Sequence, residues 1–458
     1  MTHLLTSLSK VRKFQNLYKL PWSDAPPQKC KIPKSFKILL LNAPCNGFGD
    51  LIFVKKLADY LRKAFKIHVT IATTEPDKLL MLGEDKRYLK KLASDGNGTE
   101  TVKPCRVFHG LRLYGRDGKK QENTEGNYDL FFVAPLSFDY SPKISDVKPL
   151  VPNATKFNTF FFSEYNDTLR KDFDFHTGIG AGRDGILLTT PIIESESKIN
   201  RLVNRSKLGP FALIYIADLD RAQACVKGFL ELISKKYNHN KRFQIIIPSF
   251  LYAKSNWFTS KSFISKTLGK YWGDFDIKGP DGHGIKGSGT GTSSLTIRAD
   301  ILPVKNNTMM GLIRNSVKDI LLTGDQSITD ALSCCHNKNI FYQIAPWKTD
   351  FGKEMAKAMP NKYLAKASTS CGNLSAIHYK SSYGSFVKKQ NFFKNVHDRL
   401  QAIICMGVSD RNKNSDIHEF ITAVNESKTT AMVKKKLGAP PTRKPKRSRR
   451  KSKRKPRK

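Results

Sequence analysis

Residues 36–61 read FKILLLNAPCNGFGDLIFVKKLADYL. Ile38 to Leu41 form a short apolar run, long enough for a buried strand and too short for a helix. Asn42 to Gly49 break that run with Pro44, Gly47 and Gly49. From there Leu51, Val54, Leu57, Ala58 and Leu61 fall on one helical face. A strand, a glycine loop and an amphipathic helix open a βα unit, and the amides at the helix start suit an anion. The loop fits neither common nucleotide fingerprint. The dinucleotide motif needs a third small residue where Ile52 or Phe53 stands, and a P-loop needs Gly-Lys-Ser/Thr where the chain has Gly49-Asp50. Asp50 either caps the helix or serves a hydroxyl that must lose a proton.

The same alternation continues along the chain. His68–Thr73, Tyr128–Ala134 and Phe157–Phe162 read as strands, with a shorter run at Gly185–Leu188 and a helix start at Pro76–Leu82. A second series begins after residues 194–207: strands at Phe211–Ala217 and Phe243–Pro248 around a helix at Ala222–Ile233. It continues with a helix at Asn307–Arg314 and a strand at Asp319–Thr323. A helix through Leu332 and a strand at Asn339–Ile344 follow. Alternating strands and helices favour parallel sheets covered on both faces. Residues 254–298 break the series. Six glycines between Gly279 and Gly291 predict a mobile loop there. Asn391–Met406 reads as a long amphipathic helix.

With 458 residues the chain is too long for one ordinary core. The expected division is an extension at 1–35, a first Rossmann-like domain at 36–200 and a second at 201–385. A helical segment at 386–433 and a disordered basic tail at 434–458 complete it. The fold class is therefore α/β with two Rossmann-like lobes. Thr6–Leu20 can form a basic amphipathic helix, and no signal peptide is read. No apolar window approaches the 18 residues of a membrane span. The eight cysteines are scattered without CxxC or zinc-type Cys/His spacing. They are read as belonging to a reducing interior, with Cys225, Cys334 and Cys405 as small core residues and no metal site. The acids Asp172, Asp174 and Asp184 also lack the spacing of a metal loop.

Asn46 to Leu51 (NGFGDL), followed by an apolar helix, resembles the first loop of GT-B glycosyltransferases, and bacterial heptosyltransferases in particular. Thr323 to Ser327 (TGDQS), a helix and then NIFYQIAPW resemble the donor-binding segment of that fold, with similar stretches in bacterial arginine rhamnosyltransferases. The architecture implied runs over residues 36–405. The resemblance implies a nucleotide-sugar donor and metal-independent transfer to a hydroxyl, with no cofactor beyond the donor itself. It assigns acceptor chemistry to Asp50 and the donor pyrophosphate to amides at Gln326, Ser327 and Ile328. Tyr342 and Gln343 fall where the base is held. Gly324-Asp325 replaces the relatives' Gly-Glu, which leaves the role of Asp325 open. Gly47 and Gly49 join the donor set through the first loop. Lys305 and Arg314 are basic candidates for the diphosphate, or solvated surface groups. In FDFHTGIGAGRDGIL (Phe173–Leu187), four glycines around Arg183 imply a tight backbone path beside an anion or hydroxylated ligand. His176 there is an acid/base candidate or a structural histidine.

The net charge is +40, and residues 434–458 hold 15 Lys/Arg and no acid, so 40 − 15 leaves +25 on the rest. Lys444, Lys446, Arg447, Arg449, Arg450, Lys451, Lys453, Arg454 and Lys455 form the densest part. Such a run binds phosphates without sequence choice and also matches a nuclear-localisation patch. Ser448 and Ser452 could tune its charge if phosphorylated. The leading expectation is a GT-B-like glycosyltransferase tethered by its tail to nucleic acid or another polyanion, in the nucleus or in a virion or viral factory. The alternative is a non-catalytic nucleic-acid-binding or packaging protein on a decayed transferase fold. A nucleotide-dependent oxidoreductase is disfavoured by the missing third glycine.

Overall fold

A computed structural model describes residues 30–44, 48–94, 111–114, 128–135, 143–156, 158–170, 172–216, 222–335, 338–345, 348–358, 377–378 and 383–409. The expected N-terminal amphipathic helix, Gly47 and the basic tail lie outside these residues.

The first lobe is built from β1 (Lys37–Asn42), α1 (Gly49–Phe65), β2 (His68–Thr73), α2 (Pro76–Met81), β3 (Leu89–Ser94), β4 (Leu111–Tyr114), β5 (Leu130–Val133), α3 (Ile144–Val147) and β6 (Thr159–Phe161). Its sheet has the order β4-β3-β2-β1-β5-β6, parallel except for the antiparallel edge strand β4. Leu39, Leu40 and Leu41 of β1 are fully buried because helices cover both faces of a parallel sheet. Leu51, Val54, Leu57, Ala58 and Leu61 of α1 are also fully buried, which is the face the apolar spacing indicated. Each such Leu contributes about 2 kcal/mol through burial. Lys66, in the left-handed region, ends the helix.

The second lobe comprises α4 (Glu196–Leu202), α5 (Arg205–Leu208), β7 (Phe211–Tyr215), α6 (Ala222–Tyr237), β8 (Arg242–Pro248), α7 (Ser249–Lys254), α8 (Lys261–Thr267), β9 (Asp274–Lys278), β10 (Gly284–Ser288), β11 (Ser294–Leu302), α9 (Asn306–Asn315), β12 (Asp319–Thr323), α10 (Asp325–Cys334), β13 (Asn339–Gln343), α11 (Thr349–Ala358) and β14 (Ile377–His378). Its order is β10-β9-β11-β8-β7-β12-β13-β14, with antiparallel edges at β10 and β14. Strand order reverses between β1 and β5 in one lobe and between β7 and β12 in the other. Such switch points place ligand crevices at the carboxyl ends of the strands.

Three expectations need correction. Residues 254–298 are not a mobile loop but hold α8, β9, β10 and the start of β11. Their glycines allow backbones to touch: a Cβ on Gly289 would stand 2.0 Å from the Gly269 carbonyl oxygen, and one on Gly291 2.3 Å from that of Tyr271. Gly287 lies under the Phe275 ring of its cross-strand partner, so the aromatic fills the space a side chain would occupy. Secondly, Gly185–Leu188 supplies only isolated bridges, because Gly185 pairs with both Thr177 and Gly178 in a tight turn. Thirdly, the cysteines are not all free. Cys30 and Cys405 form a disulfide across 375 positions, and Cys225 is disulfide-bonded too. Pairing over such a separation leaves no spacing signal in the sequence.

The chain ends its described course back on the first lobe. After α12 (Tyr383–Gln390), α13 (Phe392–Ser409) packs there rather than standing alone. The Phe393 ring stacks on Tyr60, and Arg399 pairs with buried Asp184 at 2.8 Å. Among the described residues no helix is long and apolar enough to cross a membrane.

Candidate functional site

The first turn of α1 lacks a side-chain cap and carries Asp50. The opposing helix α10 starts at Gly324, whose φ of +86° lets β12 turn directly into the helix, with Asp325 in the first turn. Both elements follow switch-point strands, so the two helix starts meet. Gly49, Asp50, Phe53, Pro135, Glu164 and Tyr165 of the first lobe and Asp325 and Gln326 of the second line one narrow interlobe cleft.

The centre of this cleft is ionic. The Lys348 ammonium, buried between the lobes, lies 2.5 Å from Glu164 Oε2 and 2.8 Å from Asp325 Oδ2. One cation therefore joins a carboxylate from each lobe. Burial alone would lower the Lys348 pKa, but Asp325 and Glu164 outweigh it, so the ammonium stays charged. Burial pushes the Glu164 carboxyl up to about 7, and Asp50 and Asp325 add to the rise while Lys348 opposes it. With Asp50 also near Glu164, three carboxyl groups share one ammonium and two are in excess, and Glu164 is where a proton is most easily kept. Beside this group Lys56 of α1 reaches across to Asp330 at 2.6 Å and donates to Gln326 Oε1 and Thr329 Oγ1.

Of the residues singled out in the sequence, Gly49, Asp50, Asp325 and Gln326 line the cleft. Gly324 caps α10, and Ser327 lies half-buried in its first turn. Tyr342 and Gln343 are at most 1% exposed, inside β13, and are not among the cleft-lining residues. Gln343 instead accepts a hydrogen bond from Thr323. Lys305 is exposed just ahead of α9 and is not among the cleft-lining residues. His176 and Arg183 are not among them either. The backbone N–H of His176 donates to Asp184 Oδ2, and Arg183 donates to the Asp167 carbonyl oxygen. The glycines around them allow close packing: Gly178 lies against Asn166, Gly180 against Glu354 of α11, and Gly185 against the Gln390 and Phe392 backbone. This turn thus seats α11, α12 and α13 against the first lobe. The sequence reading missed Glu164, Lys348 and Lys56. Only Lys348 carried a hint, since it follows the aromatic-proline stretch after β13. Among the described residues no group of three or more His, Cys, Asp or Glu could hold a metal ion.

No family model and no curated protein sequence matches the chain. Among solved structures it is similar to an alpha-glucosyltransferase in complex with UDP and a 13-mer DNA containing an HMU base. That match has 9% identity, TM-score 0.35, and covers 88% of this chain and 98% of the other. A glycosyl transferase family 9 protein from Veillonella parvula matches at 8% identity and TM-score 0.36, over 69% and 82% of the two chains. E. coli heptosyltransferase WaaC with ADP-2-deoxy-2-fluoro heptose matches at 8% and 0.33, over 68% and 89%. Overlays this coarse leave the function to be argued from the chain's own strand order and cleft.

Proposed function

We propose that the chain is a glycosyltransferase moving a sugar from a nucleotide-sugar to a hydroxyl acceptor. The observation that carries this reading is the meeting of Asp50 and Glu164 with the start of α10 and Lys348 in one interlobe cleft. In the reaction the acceptor oxygen attacks the anomeric carbon, and its proton passes to a cleft carboxylate, Asp50 or Glu164. The bond from that carbon to the diphosphate breaks, and the departing charge falls beside Lys348 and the α10 N-terminus. Diphosphate must compete with Glu164 and Asp325 for Lys348, so donor binding frees a carboxylate as it arrives. The cleft as it stands has room for little more than a water molecule, so the lobes must part for the donor to enter.

Uridine or adenosine diphosphate, or its sugar, is expected to raise the melting temperature of the wild-type chain. Lys348→Met should abolish that rise, and Asp50→Ala should retain it while losing diphosphate release. No stabilisation by any nucleotide-sugar would reject the enzyme. A second reading, a nucleic-acid-binding or packaging protein on the same fold, draws support from a cleft that is small and richer in carboxylates than cations. The tail contact with a polyanion, and a nuclear or virion location, belong to both readings.

A further inference from the structure

The opposite end of the second lobe carries a separate charged surface. The loops entering the parallel strands β8, β7 and β12 lie side by side there. Arg242 Nη1 donates to the Lys207 carbonyl oxygen at 2.9 Å, Val317 N–H to that of Phe211 at 2.7 Å, and Ser293 Oγ to that of Asn238 at 2.6 Å. The register sets Phe211 beside Gln244 and Ile320 beside Leu213, so Lys207, Lys241 and Lys318 fall along one sheet edge. Helices α6 and α9 end at the same edge and add Lys235 and Arg314. Adjacent strands are about 4.8 Å apart, so the row is dense.

Lys207, Lys235, Lys241, Arg242, Arg314 and Lys318 are all exposed. Among the described residues none of the six makes an ion pair, whereas neighbouring Lys236 is engaged by Asp319 at 2.6 Å. Helix-end cations complement the macrodipole, which accounts for Lys235 and Arg314. It does not account for Lys241, Arg242 and Lys318, which stand at or beside strand starts, and Lys207 closes only the four-residue α5.

We infer that this edge is a binding surface for the phosphate backbone of nucleic acid, distinct from the basic tail. A row of unpaired cations across three strands matches a periodic polyanion. A lipid surface fits less well, because among the described residues no exposed large apolar side chain lies on α5, β7, α6, β8, α9 or β12. Strand β12 spans about 17 Å, so nucleic acid held here leaves the cleft at the strands' other end open.

The test uses the full chain and a labelled 20-base-pair DNA duplex, with binding followed by anisotropy across salt concentrations. Replacing Lys207, Lys235, Lys241 and Lys318 with Gln should make the plot of log K against log salt shallower by about 3 to 4, at roughly 0.9 for each phosphate no longer neutralised. DNA should also protect these four lysines from acetylation in the wild-type chain. An unchanged slope with no protection would assign all DNA binding to the tail and overturn the inference. Protection by phosphatidylserine vesicles but not by DNA would overturn it in favour of a membrane.

Discussion

Glu164 illustrates how a residue becomes chemically distinct only through its neighbours. It sits in SEYND, a segment with no motif, yet its carboxyl is raised to about 7 by burial and by Asp50 and Asp325. A base that loses its proton near pH 7 is active above that pH and silent below it. Sugar transfer should therefore rise as pH passes through about 7, and Glu164→Gln should flatten that limb in a pH–rate profile. If the limb persists in the variant, Asp50 is the base. The linked stability effect runs the other way. The unfolded carboxyl loses its proton near 4.5 while the native one holds it to about 7, so Glu164 favours the folded state below that window and less across it. Asp50 was legible because it closes a glycine loop. Lys348 and Lys56 were not, since a lysine on a chain of net charge +40 carries no individual signal.

Elements followed the local pattern closely where periodicity was strong. The span of α1 and the strands β1, β2, β8, β12 and β13 answer to runs of buried apolar residues. The failure at β9 and β10 comes from reading glycine as freedom. There it permits contact between backbones, and the cross-strand partner that makes Gly287 useful is Phe275, twelve positions away. The distinction can be measured. Gly289→Ala would force a methyl against the Gly269 carbonyl and should lower the melting temperature by several degrees. Gly282→Ala, at φ +81° with nothing within 4 Å, should cost only the left-handed strain of about 1–2 kcal/mol. Equal melting curves for the two variants would contradict the packing account.

The molecule as a whole is two switch-point sheets joined by a shared apolar cluster and by buried ions at its rim. Lys56 and Asp330 are both nearly inaccessible, so removing one partner leaves an uncompensated charge costing about 3–5 kcal/mol. Because that pair joins the lobes, Lys56→Met should part them while each keeps its fold. The expected observation is a larger radius of gyration by solution scattering with an unchanged circular-dichroism spectrum. Adding Asp330→Leu should restore the compact form, and a single variant as compact as wild type would show that the pair does not hold the lobes. Six of the cations carried outside the tail gather at this scale along the edge opposite the cleft.

The sequence by itself determined the α/β class, the repeat of the βα series in two lobes, and the two loops that end in Asp50 and Asp325. These depend on apolar periodicity and turn residues within a few positions of one another, and that information is local. Only the tertiary structure decided that Glu164 and Lys348, 184 positions apart, share a buried ion pair, that Cys30 meets Cys405, and that His176 is not among the cleft-lining residues. Those outcomes depend on how two sheets dock and how α13 folds back, and a charge or thiol acquires its partner, and its pKa, only once burial has removed the competing water.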